Sequence, residues 1–489
     1  MLSKLFISAV VLAVCVAERK FPPGFKFGAA TASYQVEGAW NVSDKSPSIW
    51  DTFAHENPEK IIDGSSGDVA CDSYHLWETD VALAKDLGLH FYRFSISWSR
   101  LLPNGLANVV SEDGSRYYNN LIDGLLENGI EPVITLFHWD LPQKLQDLGG
   151  WTNPEIAIWF EDYARTAFEL YGDRVKTWLT FNEPIIICDA AYEKGTIAPG
   201  IASPGIGNFI CVKNLMLAHA RAYRIYDKEF RPKYNGKVGL TNNHVWYEPN
   251  TPDDEENTEL ARDLAAIYAH PIYSKSGGWP PSVEEFIAKK SKEEGYPRSR
   301  LPSFTQEEIE FIRGTYDYYG LNYYTSRKVS SGVPTGSSIS WPSSGSPEIG
   351  IVFSSDPSWT AGYAWLVSYP PGLRKQMNWL VKQYGDIEIQ ILENGYSTPE
   401  PIMYDTSRVK YYEDHLEQVL LAIQEDGINI TAYTAWSLLD NYEWTSGYTS
   451  RFGIVSVDFT DPMRKRTPRA SAYYYATVIK NHSLDFPKH

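Results

Sequence analysis

The sequence predicts a single (β/α)8 barrel, and three observations carry that reading. Eight short apolar runs rich in β-branched and aromatic residues recur along the chain, amphipathic stretches of helical period separate them, and most runs end abruptly in polar residues. Strand–helix alternation implies a parallel sheet, because parallel strands need a crossover between them, and eight repeats suffice to close it. The 489 residues alone would suggest several domains, but barrels with long loops remain single units at such lengths.

The runs occupy residues 25–30, 91–97, 131–138, 177–183, 237–243, 316–323, 388–393 and 431–437. Between them, residues 74–87, 117–128, 155–171 and 409–426 show apolar residues at helical spacing. No interdomain linker or fixed-period repeat interrupts the series. The Ser/Gly/Pro-rich stretch 330–347 reads as an insertion after the sixth strand, since a boundary there would leave the last two strands unpaired. Long insertions also follow the first and fifth runs, and in a barrel the loops after strands build the functional face.

At the N-terminus, Lys4 precedes an apolar stretch of thirteen residues, 5–17, too short to span a bilayer. Small residues at Cys15 and Ala17 suit a signal peptidase, so 1–17 is expected to be a signal peptide and 18–489 the barrel domain. A secreted, extracellular protein follows, with a gut lumen among the settings. The sequons at Asn41, Asn429 and Asn481 are candidate glycan sites. Of the remaining cysteines, Cys71, Cys188 and Cys211, the last two are nearest in sequence, which leaves their pairing open.

Charge excludes some classes. A net charge of −17 would repel a phosphate backbone, and no Lys/Arg stripe appears, so nucleic acid is not an expected partner. No later run is apolar enough for a membrane span. No His or Cys stands at ligand spacing, so neither metal nor cofactor is expected. The acidic run 253–256 reads as a solvated turn. The 16 Trp and 33 Tyr exceed what a core alone asks for and suit stacking on sugar faces, although rings also pack well against one another.

The polar ends of the runs hold the chemistry: Arg93 in the second, His138-Trp139 in the third, Asn182-Glu183 in the fourth, Asn322-Tyr323-Tyr324 in the sixth, Glu393 in the seventh and Trp436 in the eighth. A lone carboxylate at a strand end is more often a cap. Here amides, a His, an Arg and two carboxylates would converge on one barrel mouth, a burial that is costly unless they serve each other or a ligand. Glu183 and Glu393 end strands three apart in a ring of eight and so face each other. One carboxyl that protonates a leaving oxygen and a second that attacks the anomeric carbon would cleave a glycosidic bond, with retention when they lie about 5 Å apart.

At these residues the sequence resembles glycoside hydrolase family 1, the β-glucosidase family, particularly its secreted animal and insect members. The segments that carry the resemblance are Thr180-Phe181-Asn182-Glu183-Pro184 and Ile391-Leu392-Glu393-Asn394-Gly395, with supporting blocks at 32–38, 92–98 and 435–444. It extends from about Phe21 to Phe486. The resemblance implies a retaining β-glycosidase acting on terminal β-D-glucosides (aryl glucosides and cello-oligosaccharides, with β-galactosides and β-fucosides as further candidates). It makes Glu183 the acid/base and Glu393 the nucleophile, with Arg93 and Tyr324 stabilising Glu393 and Asn322 in support. It places the sugar among Gln35, His138, Asn182, Trp436, Glu443 and Trp444. Trp139 and Trp365 are left open between core and aglycone wall.

The expected partner is a small-molecule β-glucoside or oligosaccharide; oligomeric state is left open. A 6-phosphoglycosidase is rejected because Glu443 stands where a phosphate would need cationic or hydroxyl partners. A thioglucosidase (myrosinase) is the alternative, and would want Lys or Arg outside the sugar pocket for a sulfated aglycone. A non-catalytic binding module is the second, weakened by the intact glutamate pair.

Overall fold

The computed structural model describes residues 19–334 and 345–486; the expected signal peptide lies outside them. Eight strands form the barrel: β1 (Lys26–Ala30), β2 (Phe91–Ser95), β3 (Glu131–Phe137), β4 (Thr177–Asn182), β5 (Lys237–Pro249), β6 (Tyr319–Ser331), β7 (Ile389–Asn394) and β8 (Ile430–Trp436). Each pairs in parallel with the next, and β8 pairs with β1 in the register Lys26↔Ala432 to Ala30↔Trp436, which closes the ring. Helices cover the outside as the alternation requires. The expected barrel is the observed one.

Helix Ile156–Tyr171 shows how this packing positions the mouth. Its buried face presents Phe160, Tyr163, Ala164, Ala167 and Phe168 at helical spacing. Phe160 stacks on Phe181 at 4.4 Å between ring centroids, and Phe168 meets Trp178 edge-on at 4.9 Å. Both partners belong to β4, so this helix clamps the strand that ends in Asn182-Glu183.

Two elements extend past their expected ends. β5 and β6 remain paired beyond the barrel rim, from Trp246↔Ser326 to Pro249↔Val329, and Ile351–Ser354 adds to the outer part of β6 in antiparallel fashion. The polar triplet Asn242-Asn243-His244 reads as a strand end, yet Val245-Trp246-Tyr247 behind it are strong strand formers. The insertion after the sixth strand is present, but it begins later than residue 330. The acidic run also does more than sit in solvent. Asp254 accepts hydrogen bonds from the Thr251 hydroxyl (2.8 Å) and the Ser331 amide (3.0 Å), which caps the helix start and ties it to β6.

Cys188 and Cys211 are disulfide-bonded, with Cα atoms 5.5 Å apart, joining helix Ile186–Glu193 to helix Gly207–Ile225. Cys71 is free and buried. Asn41, Asn429 and Asn481 are exposed.

Candidate active site

Inside the barrel, Phe91, Val133, Leu179, Tyr318, Leu392 and Ala432 form an apolar plug separate from the surrounding core. The polar residues of the strand ends form a network at the mouth. Arg93 is fully buried, and each of its nitrogens donates. Nη1 bonds Glu393 Oε1 and the Leu392 carbonyl, both at 2.9 Å, Nη2 bonds Asn182 Oδ1 at 2.7 Å, and Nε bonds Thr135 at 3.0 Å. The Tyr324 hydroxyl donates to Glu393 Oε2 at 2.7 Å. Asn322 Nδ2 donates to Glu183 Oε1 at 2.7 Å and to Asn182 Oδ1 at 3.1 Å.

These contacts fix a tautomer. A guanidinium only donates, so the Asn182 oxygen must face Arg93, and Asn182 Nδ2 then points at His138 Nε2, 3.0 Å away. His138 therefore accepts through Nε2 and carries its proton on Nδ1. Burial first, and the Arg93 charge second, hold its imidazole well below the usual value, so the ring stays neutral.

The two glutamates differ in support. Glu183, 3 % exposed, is pushed up to about 8 by burial and then by the charge of Glu393, with only neutral amides donating to it. Burial also raises Glu393, but a guanidinium and a phenol both hold its ionised form. Glu393 is thus the member of the pair that ionises first, and Glu183 keeps its proton near neutral pH. Glu443, half-buried, is likewise pushed up to about 8, by burial and by the other two carboxylates.

Backbone geometry aims these groups. Glu183 has φ 51°, Trp139 φ 76° and Trp444 φ 52°, left-handed conformations that cost a non-glycine residue about 1–3 kcal/mol and that persist only where surroundings enforce them. The Glu183 amide donates to the Thr241 carbonyl at 2.8 Å, and Trp139 Nε1 donates to the Asn182 carbonyl at 2.9 Å. Register breaks in β4–β5 and β6–β7 fall beside Glu183 and Glu393, where irregular pairing re-aims side chains. After Glu393, Gly395 is required by close approach, since a Cβ there would lie 1.9 Å from the Trp436 carbonyl.

The resulting pocket has a cavity volume of about 160 Å³. His138, Asn182, Glu183, Tyr324, Glu393, Trp436, Glu443 and Trp444 line it, as do Trp139 and Trp365, both half-buried wall residues rather than core. His138 stacks on Trp436 at 5.7 Å, and Trp139 packs against Trp444 at 4.5 Å. Arg93 and Asn322 lie beneath the floor. Gln35 is buried in the wall, donating to Glu443 Oε2 at 3.3 Å. Gln35 Oε1 and His138 Nδ1 are buried without hydrogen-bond partners, so the site offers an acceptor and a donor that a hydroxylated ligand would satisfy. Eight of the residues expected at the site thus line one pocket, and Gln35, Arg93 and Asn322 stand behind it.

The structure adds Asn243, Ile186, Val245, Thr325 and Phe452 to the lining. Asn243 ends its apolar run as Glu183 does, a signal available in the sequence, whereas the apolar wall residues look like any core residue. A protonated carboxyl and an ionised one in an aromatic-walled pocket can supply a proton and a nucleophile to one bond.

The glycosyl hydrolase family 1 model matches residues 17–484. Myrosinase 1 of Brevicoryne brassicae is 43% identical over 466 residues, covering 94% of this chain and 98% of its own. The cytosolic beta-glucosidase of Homo sapiens is 42% identical over 476 residues, covering 95% and 99%. The solved structure of an aphid myrosinase superposes with a TM-score of 0.90 at 43% identity, covering 94% of this chain and 99% of that one.

Proposed function

The chain belongs to glycosyl hydrolase family 1 and is a glycoside hydrolase, and from that premise we propose that it is a secreted, retaining β-glucosidase for uncharged O-glucosides. The observation that carries this reading is the unequal support of the two glutamates. Glu393, held by Arg93 and Tyr324, attacks the anomeric carbon, while Glu183 gives its proton to the leaving oxygen. Esterification removes the charge of Glu393, the largest charge acting on Glu183, so Glu183 becomes the stronger acid, loses its proton and activates water. Trp436 and His138 wall the sugar, and Gln35, Glu443 and Asn182 bond its hydroxyls.

The O-glucoside preference rests on charge. The described residues lining the pocket include Glu183, Glu393 and Glu443 and no Lys or Arg, so a sulfated aglycone would find no counter-ion there. The similarity to a myrosinase favours the thioglucosidase reading, and the lining argues against it. Support for secretion comes from the leader, the Cys188–Cys211 disulfide, which suits an oxidising compartment, and the exposed sequon asparagines.

The test compares kcat/KM for an aryl β-glucoside, an aryl β-galactoside, cellobiose and a glucosinolate. Preference for the O-glucosides supports the proposal; preference for the glucosinolate overturns it. Proton NMR of early product should show the β-anomer, and α-anomer first would rule out retention. Glu393→Gln should lose nearly all activity, whereas Glu183→Ala should retain far more on activated aryl glucosides than on alkyl ones.

A further inference from the structure

A second, smaller cavity opens beside the active-site pocket and shares no lining residue with it. The outer parts of β5 and β6, the helix Glu255–Ala266 and the strand Ile351–Ser354 enclose a satellite hydrophobic cluster that includes Tyr247, Ala261, Ile351 and Phe353. The cavity lies at the seam between this cluster and the main core, which supplies Ile185, Phe209 and Ile267. Its walls are mostly apolar.

One end is polar and consists mainly of acceptors. Asp189 and Glu193 enter from the helix Ile186–Glu193, and Asn208 from the first turn of the helix Gly207–Ile225. Asn208 is 7 % exposed, yet its Oδ1 has no hydrogen-bond partner; its Nδ2 makes only a long 3.5 Å contact with Asp189 Oδ1. The Tyr268 hydroxyl donates to that same Asp189 oxygen at 2.5 Å. The other charged lining residues are Lys194 and Glu348, and Glu348 is neutralised by Arg300 at 2.6 Å. With both ionised, the two carboxylates would exceed Lys194 by one negative charge. Burial and the neighbouring Asp189 push Glu193 up to about 8, so near neutral pH the pair shares a proton that a cationic head would displace. An orphaned acceptor at nine-tenths burial costs stability unless a ligand occupies it.

We propose that this cavity is a second ligand site, separate from the catalytic pocket, for a small amphiphile with an alkyl body and an ammonium head. The alkyl chain lies along Phe209, Tyr247, Leu264 and Phe353, and the ammonium donates to Asp189, Glu193 and Asn208 Oδ1.

The probe is n-octylammonium below its micelle concentration, titrated calorimetrically into the whole enzyme at pH 7. The catalytic pocket is saturated with 1-deoxynojirimycin, a glucose-shaped iminosugar, because an amine would otherwise also bind the catalytic carboxylates. One equivalent should bind, at least about tenfold tighter than octanoate, the difference of one charge-assisted contact. Asn208→Leu should weaken octylammonium about tenfold while raising Tm, because it removes an unsatisfied buried acceptor. Ala265→Phe, which fills the cavity, should abolish binding and leave aryl glucoside turnover at the wild-type rate, an internal check on folding. Absence of binding, equal affinity for octanoate, or unchanged affinity in Asn208→Leu would each overturn the site. So would octylammonium binding seen only without the iminosugar, which would assign it to the catalytic pocket.

Discussion

At the scale of single residues, the support given to Glu183 sets two measurable pH dependences. Its proton is needed for catalysis and its carboxyl sits at about 8, so kcat/KM should fall as pH rises through that value. Asn322 donates to the carboxylate at 2.7 Å and thereby lowers its pKa. Asn322→Ala should therefore move the basic limb upward, by roughly one unit; no shift, or a downward one, would remove Asn322 from the support of the acid.

The same raised carboxyl is a stability cost. Its unfolded value is near 4.3, so the folded form prefers the proton, and stability is lost as pH rises from there through about 8. Glu183→Gln abolishes that loss and retains an acceptor for Asn322. The variant should be inactive on poor leaving groups and more stable by about 2 kcal/mol at pH 8, with no gain at pH 4. Equal Tm values for the two proteins at pH 8 would show that burial of this carboxyl is not destabilising.

At the scale of elements, the helix Ile186–Glu193 starts three residues after Glu183 and is tied to Gly207–Ile225 by Cys188–Cys211. Closing that loop should contribute about 3 kcal/mol. The double variant Cys188→Ala/Cys211→Ala should melt a few degrees lower, and dithiothreitol should produce the same drop in the wild type and none in the variant. What could be read in advance also divides at this scale. The eight strands are legible because buried parallel strands are near-continuous apolar runs, and Glu183 and Glu393 are legible because they break such runs. The extension of β5 is not, because Asn242-Asn243-His244 interrupts the pattern for the sake of the mouth, where Asn243 lines the pocket. Nor are the bonds of Arg93 to both Glu393 and Asn182, since they join β2, β7 and β4 and depend on barrel closure.

At the scale of the whole molecule, the net charge of −17 acts on substrates before they arrive. Among the described residues the cleft is lined by no Lys or Arg, so nothing at the mouth offsets that field. A neutral aryl glucoside is indifferent to it, whereas a sulfated thioglucoside is repelled. Screening separates the two cases, because the Debye length falls from about 30 Å at 0.01 M salt to about 8 Å at 0.15 M. Across that range kcat/KM for the sulfated substrate should rise several-fold while that for the neutral one stays within about twofold. Both must be measured at substrate concentrations well below KM, where encounter contributes to the rate. If the anionic substrate instead loses kcat/KM as salt is added, a cationic path leads it into the pocket. Charge would then favour the thioglucosidase reading that the lining of the pocket argues against.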